Sequence, residues 1–332
     1  MKSTPPEPKT IQRLLDVFPS FALLAGMQLD VFTPLKDGPM TAEAIAQTLG
    51  VRVEKLKPLL YALVTADLLV LDGDRFANTD EAQYYLTRSS PDYIGGSCEI
   101  YADLWSAALH TAYSIRTGQP QAKHDFTQMS SGELEPFFRG LHPGCLKTGK
   151  ALAAQYDFSQ CRKLLDIGCG SGGLAMALTE VYPQLEATVV DLPNVTPITR
   201  RFVTEAGAAH RIEVISANIV ENPLPISFDV VVLKAFLQVL SPDAARRALK
   251  HVHACMDPGG AVYIMGAGIL DDSRVTPREL AVQNIVFLNL YDEGQAYTES
   301  EYRSWLIEAG FDEVRRDRLC DGGSVIVARK PS

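Results

Sequence analysis

Two rhythms of apolar and polar positions divide the chain. Up to about residue 95 the apolar positions recur at helical spacing. Phe21, Leu24, Ala25, Leu29 and Phe32 share one face, which suits a buried helix. Thr41 to Gly50 reads as a short helix, with Thr41 as N-cap and Gly50 as its stop. A second helix covers Val53 to Ala66, and Leu68 to Phe76 reads as a β-hairpin turning at Asp72-Gly73. Helix, turn, helix and hairpin predict a winged helix. Residues 96–158 keep a helical, connecting pattern, broken at the turn-rich Gly140-Leu-His-Pro-Gly144. From about residue 159 short apolar runs alternate with amphipathic stretches. Strands are expected at 163–168, 187–192, 212–217, 228–235 and 261–267, and helices at 173–181, 195–206, 242–256 and 299–309. The last two strands, Asp312 to Arg318 and Gly323 to Lys330, have no helix between them and so pair antiparallel. The expected fold class is α/β, a doubly wound parallel sheet closed by an antiparallel hairpin. The expected domains are 1–95 (winged helix), 96–158 (helical connector) and 159–332 (sheet domain).

Composition narrows the partners. The chain has 332 residues, 46% hydrophobic and 21% charged, enough apolar content for two cores. A formal net charge of −9 argues against nucleic acid or an anionic membrane. The would-be recognition helix from Val53 to Leu63 is mostly apolar beyond Pro58, unlike helices that read DNA. A dimerisation module is the expected role. The six cysteines are scattered with no Cys-x-x-Cys pair, which fits reduced thiols and no metal site. Cys169 is expected to be only a small residue tolerated in its loop. There is no signal-like start and no membrane-length apolar run, so a cytoplasmic protein without membrane attachment is expected.

The chemistry concentrates in Lys163-Leu-Leu-Asp-Ile-Gly-Cys-Gly-Ser-Gly-Gly173. Leu164, Leu165 and Ile167 form a buried strand that enters a glycine-rich turn. Gly168, Gly170 and Gly172 let the backbone turn tightly and approach a ligand. Asp166, at the end of the first strand, would repel a pyrophosphate but attract the ammonium of an amino-acid-bearing cofactor. Asp191 ends the second strand, where an acid reads a ribose diol. Together these residues suit S-adenosylmethionine better than NAD.

The chain resembles the small-molecule O-methyltransferases that carry an N-terminal winged-helix dimerisation domain. Plant phenolic, hydroxyindole and bacterial antibiotic methyltransferases belong to that family. The resemblance spans about residues 15 to 330. It rests on Gln28-Leu-Asp-Val-Phe32 and the Thr41 to Gly50 helix, on Asp166-Ile-Gly-Cys-Gly-Ser-Gly172, Asp191-Leu-Pro193 and Pro258-Gly-Gly260, and on Thr298-Glu-Ser-Glu-Tyr302 with Ala309-Gly-Phe311. It implies a class I methyltransferase, Rossmann-like sheet. It also implies a homodimer whose N-terminal helices help close the partner's pocket, a small-molecule substrate, and S-adenosyl-L-homocysteine as the spent cofactor. Asp166, Gly168 and Gly170 would hold the methionine part, and Asp191 the ribose hydroxyls, with Leu192 beside the adenine. Asn218-Ile219 stands where the family usually has Asp-Phe or Asp-Met against the adenine, and Lys234 matches a position flanking the cofactor.

One departure bears on mechanism. The family's general-base histidine follows the fourth strand, and here Lys234-Ala-Phe-Leu-Gln-Val-Leu-Ser-Pro-Asp243 puts Gln238 in its place. Glutamine has no useful basicity in water. Three explanations stand open. The acceptor needs no deprotonation, as with a thioether sulfur, a tertiary amine or an electron-rich carbon; or another residue is the base, with His142, His110 and Tyr291 as candidates; or the protein binds the cofactor without transferring methyl. The first is preferred, with sulfur (for example a methionine-derived 2-hydroxy acid) or carbon as acceptor. A phenol or hydroxyl with His142 as base is the alternative, and a winged-helix regulator is the rival of another class. Tyr101, Trp105, Phe287, Asn289 and Tyr291 are the pocket candidates, and Arg139 or Arg303 would meet an acceptor carboxylate. Asp271 and Asp272 read as a solvated loop.

Overall fold

The structure is a computed structural model of the chain and describes residues 6–266 and 268–332. Position 267, the end of the strand expected at 261–267, lies outside the described residues. The chain forms two compact units, one up to Ala102 and one from Asp103.

The first unit opens with helices α1 (Lys9–Leu15) and α2 (Phe18–Gln28) and a 3-10 turn at Thr33–Asp37. There follow β1 (Met40–Thr41), α3 (Ala42–Leu49), α4 (Val53–Thr65), β2 (Leu69–Asp72), β3 (Arg75–Asn78) and α5 (Asp80–Tyr85). Thr41 caps α3 as expected: its hydroxyl accepts from the Ala44 amide at 3.3 Å. β2 and β3 form the hairpin, and β1 adds a third strand to give the order β1-β3-β2. Burial of Phe32, Ile45, Leu60, Leu63, Leu69 and Phe76 holds the winged helix together. Helix α6 (Cys98–Ala108) crosses the boundary between the units.

The second unit continues with α7 (Thr111–Thr117), α8 (Ser131–Gln155), β4 (Lys163–Ile167), α9 (Gly173–Val181), β5 (Glu186–Asp191), α10 (Thr196–Glu205), β6 (Ile212–Ser216) and β7 (Phe228–Lys234). It closes with α11 (Pro242–Ala254), β8 (Met256–Met265), β9 (Ile269–Leu270), α12 (Arg278–Leu290), β10 (Tyr297–Thr298), α13 (Glu299–Ala309), β11 (Asp312–Arg318) and β12 (Ser324–Arg329). Seven strands form one sheet in the order β11-β12-β8-β7-β4-β5-β6, and only β12 runs against the rest. Successive residues of a strand face opposite sides of the sheet. Leu164, Val230 and Val232 therefore pack into one core with α8, α9 and α10. Leu165, Ile167, Val231 and Leu233 pack into a second core with α11 and α13. Ligands of such sheets bind at the carboxyl ends of the strands, where β4 and β7 turn outward to helices on opposite faces.

Two segments differ from the sequence-based expectation. The break at Gly140–Gly144 is absent, and α8 runs unbroken for 25 residues with Pro136 and Pro143 inside it. Ser130 and Glu133 start the helix with a capping box. Its second half lies so close to α9 that a Cβ on Gly149 would stand 2.7 Å from the Ala177 side chain. This packing outweighs the amide donors that the prolines lack. Helix α12 is the other difference. Val282 and Ile285 are exposed while Val286, Phe287 and Leu290 are buried, so its apolar residues make no clean stripe for a period to reveal.

Candidate active site

The β4–α9 turn is shaped by its backbone. Gly168, Gly170 and Gly172 take φ values of +65°, +53° and +73°, a region that L side chains rarely adopt. A Cβ on Gly168 would come within 2.6 Å of the Phe236 ring, and one on Gly170 within 2.7 Å of the Phe138 ring. Both aromatic rings thus lie directly on the glycine turn.

The two acids lie at the same strand ends. Asp166 is 1% exposed, and its Oδ2 is buried without a hydrogen-bond partner. Burial pushes its pKa up to about 7; the Asp191 charge adds to the rise, and the Ala175 amide and Lys234 oppose it. Asp191 accepts from the Gly170 amide and from its neighbour Leu192, each at 2.8 Å. Burial still carries its pKa up to about 6 against those two bonds. A buried carboxylate with a free oxygen is costly unless a cation or donor meets it. An ammonium group beside Asp166 and a diol beside Asp191 would meet both acids, so the residues present fit S-adenosylmethionine.

Lys234 ends β7 near Asp166 and near Cys145 of α8. Burial pushes the Cys145 thiol up, Lys234 pulls the other way, and Asp166 adds to the rise. His142, one turn earlier on α8, places Nδ1 2.9 Å from the Ser171 hydroxyl, and its ring packs on Phe202. Burial, reinforced by Arg139, keeps this imidazole below the usual histidine range.

Beyond β7 the chain turns sharply, with Ala235 held at φ +56°. Gln238 follows in a short 3-10 turn and is 7% exposed. Its side chain fills the space beside Gly266 and Gly268: Cβ atoms there would lie 2.6 Å and 2.8 Å from it. Its carbonyl is 2.8 Å from where a Cβ on Gly294 would stand, and Tyr291 crowds the same glycine. From Tyr291 an aromatic wall extends: to Phe287 (5.9 Å between ring centres), to Phe126 (6.4 Å), and from Phe126 to Phe137 (5.8 Å). Phe137 meets Phe138 at 5.4 Å, and Phe138 covers Gly170. The loop that carries Phe126 is tied down by Asn194, which donates to the Phe126 and Met129 carbonyls from just beyond Asp191.

Residues 104–312 match the O-methyltransferase domain, and residues 7–88 match the O-methyltransferase dimerisation domain. The chain belongs to the O-methyltransferase family. It is 30% identical over 309 residues to the 3-hydroxy-5-methyl-1-naphthoate 3-O-methyltransferase of Streptomyces sahachiroi, covering 91% of this chain and 88% of that protein. It is 28% identical to the N,N-dimethyltransferase OxyT of Streptomyces rimosus, over 93% of this chain and 92% of that one. Among solved structures, human N-acetylserotonin methyltransferase in complex with SAM superimposes with a TM-score of 0.87 at 24% identity, covering both chains completely.

Several residues expected in this methyltransferase's site are buried or engaged by other protein groups. Ile219 is 2% exposed within the α11-side core and has no surface to offer an adenine. Asn218 is partly exposed; its amide donates to Glu221 and its oxygen accepts from the Val220 amide. Asn289 is fully buried, bonded to the Ser114 and Thr111 hydroxyls and the Ile285 carbonyl, so it fastens α12 to α7 instead of facing a substrate. Arg139 pairs with Glu135 and Glu205 and lies over Phe202 on the surface. Arg303 donates to the Val314 carbonyl and to Glu299. His142 has Ser171, Gly173 and Phe202 as neighbours, none of them in the aromatic wall. His110 is exposed at the N-cap position of α7 and makes no side-chain capping bond there. Asp271 and Asp272 bond the hydroxyls of Ser273 and Ser300, as a loop would.

Two of the other candidates, Phe287 and Tyr291, lie in the wall, and burial raises the Tyr291 hydroxyl's pKa well above the usual phenol range. Leu192 flanks the α8-side core beside Asp191. Trp105 is half-buried on α6, and Tyr101 is an exposed residue of the same helix. Cys169 is buried against Thr199 and its thiol is pushed well up, an inert packing residue. Sequence reasoning missed Phe126, Phe137, Phe138, Phe236, Cys145 and Asn194 as site residues. Their spacing follows no period, and only the folded sheet brings them together. It also missed His124, which packs edge-on against Phe126 and Phe137.

Proposed function

We propose that the protein transfers a methyl group from S-adenosylmethionine to a hydroxyl of a planar aromatic small molecule, working as a homodimer. When bound, S-adenosylmethionine supplies a sulfonium methyl open to in-line displacement. Asp166 holds the ammonium, Asp191 holds the ribose hydroxyls, and the glycine turn lets the backbone come close. Phe126, Phe137, Phe287 and Tyr291 hold the acceptor by stacking and keep water out. The aromatic wall beside the glycine turn is the observation that carries this reading. A relative named for 3-O-methylation of a hydroxynaphthoate adds support.

Gln238 at the base position favours a second reading, the base-free acceptor expected from the sequence: sulfur, carbon or an amine. The relative named as an N,N-dimethyltransferase is in keeping with an amine acceptor. Labelled S-adenosylmethionine offered with 3-hydroxy-1-naphthoate, an arylamine, an aryl thioether and a thiol separates the two. An O-methyl product whose rate rises with pH supports the first reading. A sulfonium, ammonium or C-methyl product with a flat pH profile replaces it with the second.

A further inference from the structure

A histidine packs against the aromatic wall. His124 follows α7 on the loop that carries Phe126, and its side chain is 9% exposed. Its Nε2 lies 3.0 Å from the Asp103 carboxylate of α6, and its Nδ1 is buried with no hydrogen-bond partner. Its main-chain amide donates to the Leu290 carbonyl at 2.9 Å, one residue before Tyr291, so the loop is stitched to the end of α12. The ring is flanked edge-on by Phe137 at 5.8 Å and Phe126 at 6.0 Å. Two aromatic contacts, Phe137 and then Phe138, connect it to Gly170; one, Phe126, connects it to Tyr291. Asp103 also acts on the Tyr291 hydroxyl, and the sequence neighbours of His124 are engaged elsewhere, Lys123 with Asp292 and Asp125 with Thr127.

A carboxylate on one ring nitrogen fixes the tautomer. With Nε2–H donating to Asp103, the lone pair of Nδ1 is left as the acceptor, buried without a partner on a ring packed between Phe126 and Phe137, where an unmet lone pair is costly. We infer that His124, oriented by Asp103, takes the acceptor's hydroxyl proton, the task that Gln238 cannot perform. This rests on the hydroxyl reading above. The acceptor's O–H bond breaks with its electron pair left on oxygen, and the proton forms an N–H bond at Nδ1. The imidazolium faces the Asp103 carboxylate until the proton passes to water after turnover. His124 is the base, and Asp103 is a positioning residue.

The test uses His124→Gln and Asp103→Asn in the full chain, with S-adenosylhomocysteine affinity as the check that each variant is folded. The first readout needs no turnover: 4-nitrophenol is titrated by absorbance in the presence of each protein with S-adenosylhomocysteine. Phenolate forms at lower pH with the wild type than with His124→Gln; identical curves overturn the inference. The second readout is kcat on two acceptors. With 3-hydroxy-1-naphthoate, His124→Gln loses about 100-fold or more and Asp103→Asn about tenfold, KM staying near wild type. With 4-nitrophenol, already ionised above its pKa, both variants stay within about threefold of wild type. Equal losses on both acceptors would mean that His124 only holds the wall together, and would overturn the inference. If the wild type methylates the thioether or amine and no phenol at any pH, the hydroxyl reading itself fails, and the base assignment with it.

Discussion

The glycine turn and the aromatic wall are neighbours built on opposite plans. The turn is made of backbone: three glycines at positive φ and two buried acids, all within 26 residues from Asp166 to Asp191. The wall is made of side chains from segments that meet only in the folded unit, namely Phe126, Phe137 and the α12 end with Phe287 and Tyr291. A site made of backbone demands particular residue types at particular spacings. A site made of side chains demands only shape and apolar surface, which many residue sets supply.

The largest expected effect breaks the turn. Gly170→Val places a β-branched residue at φ +53° with its Cβ against Phe138. Affinity for S-adenosylhomocysteine, measured by calorimetry, falls about 100-fold or more. Unchanged affinity would mean that this turn does not form the cofactor site.

A smaller effect comes from pH. Asp166 and Asp191 have raised pKa values, about 7 and about 6, so the ligand-free fold takes up protons as pH falls through those values. An ammonium ligand needs Asp166 ionised. Affinity for S-adenosylhomocysteine is therefore greatest above pH 7 and weakens up to about tenfold per unit below it. The same shifts act on stability in the opposite sense. A carboxylate that holds its proton more tightly when folded makes the ligand-free protein more stable as pH drops from 7 towards 4. Melting followed across that window checks the sign, and Asp166→Asn should flatten both trends.

The smallest effect sharpens the contrast. Gln238→Ala removes a side chain that fills space beside Gly266 and Gly268. Turnover stays within about fivefold of wild type, because a group without basicity contributes no proton transfer. A loss of two or more orders of magnitude would make Gln238 part of the reacting arrangement.

This contrast also explains what could be read in the chain. The strands β4, β5 and β7, helices α9 and α13 and the closing hairpin follow from apolar runs bounded by glycines and caps, and the structure places them within a residue of expectation. The placement of Asp166 and Asp191 at buried strand ends was legible because a turn defines those positions. Asn289 and Ile219 were misplaced because sequence spacing does not say which way a side chain faces. Asn289 bonds α7, more than 170 residues away. His124 and Asp103 were invisible for the same reason: 21 residues apart on a helix and a loop, they share no motif.

The unbroken α8 has a thermodynamic consequence. Phe137 and Phe138 are consecutive residues of one stiff rod, the first in the aromatic wall and the second on Gly170. On the proposed reading, an acceptor that settles against Phe137 also steadies the ring over the glycine turn. Linkage requires that any coupling free energy be reciprocal: by whatever factor acceptor changes the affinity for cofactor, cofactor changes the affinity for acceptor by the same factor. The segment expected to break at Gly140–Gly144 instead continues one helix, and on that reading α8 would join the two halves of a single binding equilibrium.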